Sequence, residues 1–154
     1  MNRVSVGALV VLAGGSALAC KSPLSPLELV ELNAAEARWA SRPFQSYAIE
    51  MIQSCFCSPL VTQWARVEVV NGTLNRVVLV ESGTEVSPGE RTYFQTVEEV
   101  FAGIRAAPRQ DWVKDVVAEF DPELGFPTSV SFVSKDGIMD AGGFRAIRNA
   151  VALP

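Results

Sequence analysis

Two stretches of this chain signal a helix start in the same way. Ser25-Pro26-Leu27-Glu28 joins a hydroxyl N-cap, a proline at the first helical position and a glutamate placed to close a capping box. Thr96-Val97-Glu98-Glu99 repeats the box. Apolar residues at helical spacing follow each start: Leu29, Leu32, Ala35 and Trp39 in the first, and Val97, Val100, Phe101 and Ile104 in the second. Stripes of this kind face a core. Arg42-Pro43 stops the first helix near residue 40, and Pro108 stops the second.

Elsewhere the period changes to two. Tyr47, Ile49 and Met51 fall on one face of a strand predicted over 45–53, and further strands are predicted over 64–70 and 74–81, joined by Asn71-Gly72. A strict two-residue turn there would pair Val69 with Leu74 but set Arg76 against Val67. A bulge or a longer loop is therefore expected to correct the register. Residues 82–91 are rich in turn formers and charge and read as a mobile surface loop. Strands over 113–120, 129–133 and 144–151 complete the pattern. The order α-βββ-α-βββ implies an α+β fold with two helices packed on one face of an antiparallel sheet. The other face would be partly solvated, in keeping with Arg66, Glu68, Asn75 and Arg145 among the strand residues. A structural echo between 27–81 and 96–151 also follows from that order.

Residues 1–19 read as an export leader: Arg3, an apolar run over 4–13, and the small-residue exit Ser16-Ala17-Leu18-Ala19. The run is too short to cross a bilayer. Cys20 follows directly, so Leu18-Ala19-Cys20 looks like a bacterial lipobox, although Ala17 stands where a large aliphatic residue is usual. Ordinary cleavage at Ala17-Leu18-Ala19, giving a secreted soluble protein, is the competing reading. The expected organisation is a signal peptide over 1–19, a lipid-anchored tether over 20–26 and one globular domain over 27–154. Lys21 in place of Asp does not mark inner-membrane retention, so in a host with two membranes the outer membrane, facing the periplasm, is the expected location.

The net charge of −4 and the lack of any Lys/Arg cluster argue against a nucleic-acid partner. There is no histidine, which removes the commonest metal ligand and the most versatile general base. A Ser/His triad is thereby excluded, and neither a G-x-S-x-G elbow nor a phosphate-cradling glycine loop occurs. Asp121-Pro122-Glu123-Leu124-Gly125-Phe126-Pro127 reads as a turn between strands. Asp136, Gly137 and Asp140 lack the alternating ligands and closing glutamate of a calcium loop. No enzyme, cofactor or metal site is expected from these residues.

Chemistry is confined to Cys55-Phe56-Cys57. With Cys20 acylated, the remaining thiols form an even pair in an oxidising compartment. Residues i and i+2 of a regular strand have Cα atoms about 6.5–7 Å apart, so the backbone must pucker to close a disulfide. Closing so small a loop stabilises by only about 1.6 kcal/mol before strain is subtracted. A local shaping disulfide, a redox-exchanging pair, a soft-metal site for Cu(I) and free thiols all remain open at this point.

Trp39, Tyr47, Cys55-Phe56-Cys57, Asn71-Gly72, the helix opened at Thr96, and Phe120-Asp121-Pro122-Glu123-Leu124-Gly125-Phe126-Pro127-Thr128 together resemble a family of small bacterial lipoproteins carrying a domain of unknown function. This chain has Phe120 where that family usually has tyrosine, and Gly142-Gly143 where acidic residues are common. The resemblance implies an envelope lipoprotein and supplies no catalytic residues. The expected function is a non-enzymatic binding or structural module, held to the membrane through lipid on Cys20 and contacting an envelope protein. The alternative is a thiol-disulfide or copper protein acting through Cys55 and Cys57.

Overall fold

The computed structural model describes residues 24–54, 58–136 and 142–154. Helix α1 spans Pro26–Ala40, with the Ser25 capping box formed in both directions. Strands β1 (Tyr47–Ser54), β2 (Ala65–Val70) and β3 (Thr73–Leu79) follow. Helix α2 (Val97–Ala106) carries the second reciprocal box at Thr96 and Glu99. The chain ends in β4 (Val113–Phe120), β5 (Pro127–Ser134) and β6 (Gly143–Ala152).

All six strands join in one antiparallel sheet, ordered β3-β2-β1-β6-β5-β4. The joint is the pairing of β1 with β6, which brings Met51 opposite Ile147 and Ser54 opposite Phe144. Alternation along the strands sends Tyr47, Ile49, Met51, Val67, Val69, Val77, Val116, Val130 and Ile147 into the core. There they meet Leu32, Ala35 and Trp39 from α1 and Val97, Val100, Phe101 and Ile104 from α2. Each large aliphatic or aromatic side chain buried in this way stabilises the fold by about 1.5–3 kcal/mol relative to exposure.

This arrangement corrects the expected α+β fold with two helices packed on one face in the order α-βββ-α-βββ. The described chain is mostly β, with two short helices. Segments of 3-10 helix at Arg91–Tyr93 and Ala107–Arg109 break the simple order. Nor are the two halves equivalent: β1 lies inside the sheet while β4, its counterpart in a repeat, is an outer strand. The helices do not close on each other as an apolar pair. Polar bridges span between them, and a cleft stays open.

Asn71 and Gly72 both take positive φ, 49° and 77°, as a tight hairpin of this twist demands. Val69 pairs with Leu74, and the register then shifts so that Glu68 meets Arg76 and Val67 meets Val77. The extra residue is Asn75. This bulge keeps Arg76 off the core face, as the hydrophobic pattern required.

Two local expectations are overturned. Residues 82–91 fold back on the edge of β3 through a bridge between Val78 and Glu85, with Val86 buried beneath. Arg91 holds the fold-back in place, donating to Asn75 O at 2.6 Å and to Glu85 at 2.9 Å. Arg145 does not join the solvated face: two residues from Ile147, it points to the core side and donates to Gln53 Oε1 at 2.8 Å. Burial lowers its pKa from the ordinary arginine value.

Candidate functional site

The end of α1, the start of β1 and the first turn of α2 converge on one carboxylate. Trp39 lies in the last turn of α1, Arg42 just beyond its cap, Tyr47 opens β1, and Glu98 sits in the first turn of α2. An acid is favoured there because the helix N-terminus carries unpaired N–H groups and a positive dipole end. Glu98 Oε1 accepts from Trp39 Nε1 at 2.8 Å and from Arg42 Nη2 at 2.9 Å, while Oε2 accepts from the Tyr47 hydroxyl at 2.6 Å. Tyr47 in turn accepts from the backbone N–H of Val97 at 3.0 Å.

Rings pack around this knot. Trp39 meets Tyr47 edge to face with centroids 4.9 Å apart, and Phe44 and Phe126 each lie 6.2 Å from the indole. The Arg42 guanidinium stands 4.1 Å from the centre of the Trp39 ring. Burial works against the ionised form of Glu98, yet the hydrogen bonds from Tyr47 and Trp39 and the Arg42 charge outweigh it and hold the carboxyl below its ordinary value. Burial, reinforced by the adjacent Glu98 carboxylate, pushes the Tyr47 hydroxyl well above its ordinary value.

Between the helices lies an open cleft of about 380 Å³. Trp39, Ala40, Phe101 and Ala102 supply its apolar lining. The Arg42–Glu98 pair marks one end. At the other, Arg105 donates to Asn33 and grips both oxygens of Glu36, whose hydrogen bonds and charge raise the Arg105 pKa. With every charge at the rim already paired, the cleft offers a neutral apolar floor inside a polar ring.

None of the described residues that line this cleft is one the sequence marked as a candidate site residue. Cys20, Cys55 and Cys57 are outside the described residues, as is Asp140. Asp121 serves its turn, accepting from Glu123 N at 3.0 Å and Leu124 N at 2.7 Å. Asp136 pairs with Lys114. Among the described residues no group of three potential His/Cys/Asp/Glu ligands could hold a metal ion. Sequence reasoning passed over Glu98, which reads as a plain first-turn acid. The available signal was an indole N–H and a phenol both assigned to the core, since each needs a polar partner there.

The described residues form a mostly β domain, a six-stranded antiparallel sheet with two short helices and an open cleft between them. The chain belongs to DUF6174, a family of unknown function, which matches residues 31–152. No curated protein and no solved structure matches the chain.

Proposed function

We propose that this protein is a lipid-anchored binding module of the bacterial envelope, tethered through Cys20, whose interhelical cleft receives an apolar side chain of a protein partner. The carrying observation is the cleft itself. An aromatic and alanine floor ringed by Arg–carboxylate pairs has the anatomy of a protein-recognition centre, with an apolar middle and a polar rim that excludes water. Its openness fits an inserted side chain better than an engulfed small molecule, and its paired charges give a charged ligand no free counter-charge. The anchor rests on the leader, the Leu18-Ala19-Cys20 junction and the short tether behind it.

A photo-crosslinking amino acid at Ala102, in the full chain expressed in cells, tests the reading. A discrete protein adduct is expected from Ala102, absent from a probe at Thr73 and lost when Ala40→Trp fills the cleft. Equal adducts from both probes, or none from Ala102, would overturn the assignment.

A further inference from the structure

We infer that the free edge of β4 takes up an extended segment of a partner protein as an added strand, one whose side chains alternate between apolar and basic. This surface is separate from the interhelical cleft, and the inference rests neither on that reading nor on the anchor.

The sheet closes one of its edges and leaves the other open. Along β3, residues 82–91 fold back and form the Val78–Glu85 bridge. At the opposite end of the strand order, β4 pairs only with β5 among the described residues. Between its two register shifts it runs regularly from Asp115 to Glu119. An outer strand of this kind carries a row of backbone N–H and C=O groups directed away from the sheet, which is the template for one more strand.

The two sides of that edge call for different side chains. On the helix side lies a cavity of about 230 Å³, walled by Leu24, Leu32 of α1, Ile104 of α2 and Val116 and Phe120 of β4. On the open side Asp115, Val117 and Glu119 form a row. Neither acid has a Lys or Arg partner among the described residues: Asp115 accepts from the Val116 N–H at 2.8 Å and Glu119 from the Ser129 hydroxyl at 3.1 Å. Carboxylates of the inner strands differ, for Glu68 and Glu50 each hold an arginine. Glu28 of α1, which also lines the cavity, accepts only from the Ser25 N–H.

Successive side chains of an added strand point to opposite faces. Its apolar residues would enter the cavity, and the Lys or Arg residues between them would meet Asp115 and Glu119, since opposite charges on neighbouring strands attract. A second copy of this chain fits less well. Antiparallel pairing of two β4 strands about Val117 would set Asp115 of each copy against Glu119 of the other, like charge against like.

The test is binding of the full chain to a fluorescent heptapeptide that alternates Lys and Val, measured by anisotropy beside an isomer with the same residues in two blocks. The alternating peptide is expected to bind at least about tenfold more tightly, and Asp115→Asn combined with Glu119→Gln should weaken it by about tenfold. N-methylation of every second peptide amide should abolish binding in one of its two phases only, because one side of the peptide faces β4. Equal affinity of the two isomers, unchanged affinity in the double variant, or equal effects of the two methylation phases would overturn the inference. So would a dimer whose β4 amides are protected from hydrogen exchange before any peptide is added, the mark of a second copy on the edge.

Discussion

The Tyr47 hydroxyl donates to Glu98 at 2.6 Å while accepting from the Val97 N–H at 3.0 Å, so a single oxygen ties the first residue of β1 to the start of α2. Tyr47→Phe removes that oxygen and leaves a buried N–H without its acceptor. The expected loss is about 1–3 kcal/mol, read from urea denaturation. An unchanged midpoint would mean that the tie contributes nothing to the fold.

Glu98 and Tyr47 also set a pH profile. The folded-state pKa of Glu98 is depressed, so its contribution is present above the ordinary value of 4.5 and is lost as pH falls through the lower folded value. That of Tyr47 is raised, so its contribution is complete below the ordinary 10.0 and declines as pH rises past it. Melting temperature measured from pH 3 to 11 should fall at both ends. Glu98→Gln should flatten the acid limb selectively, and an identical limb in that variant would contradict the assignment.

Two glycines should respond in opposite directions. Gly125 has φ +83°, and a Cβ built on it would stand 2.2 Å from Ala35 O and 2.8 Å from Arg38 Cβ, both on α1. Gly125→Ala therefore combines left-handed strain with a clash against helix backbone, at a cost of about 2–5 kcal/mol. Gly103, inside α2, has open space where its Cβ would be. Gly103→Ala should stabilise by about 0.5–1 kcal/mol. Chemical denaturation of the two variants beside the parent checks both signs.

Replacing Cys55 and Cys57 together by serine should change stability by no more than about 1.6 kcal/mol, because so short a loop constrains the unfolded chain weakly. The adduct at Ala102 should survive the double substitution. A stoichiometric copper titration in the parent that vanishes in the variant would instead favour chemistry at the cysteine pair.

What the sequence disclosed follows the range of the forces involved. Both capping boxes are local and were legible residue by residue, as was the need for a bulge near Asn75, since an in-register Arg76 would have entered the core. The pairing of β1 with β6 joins residues about a hundred positions apart and leaves no local trace, so the strand order within the sheet and its unequal halves are not legible in the sequence. Turn formers and charge in residues 82–91 point to a mobile loop. Val86 and the reach of Arg91 to the Asn75 carbonyl decide otherwise. The charge of Arg145 suggests an outward side chain, whereas strand alternation from Ile147 turns it inward. Trp39 and Tyr47 were expected on buried faces, but the carboxylate that satisfies both comes from α2, and only the folded chain brings it there.

Intact mass of the protein purified from its native membranes bears most directly on the account. A chain beginning at Cys20 and carrying added acyl mass is the predicted result. A chain retaining Met1, or one cut before Cys20 without added lipid, would contradict the anchor and the compartment together.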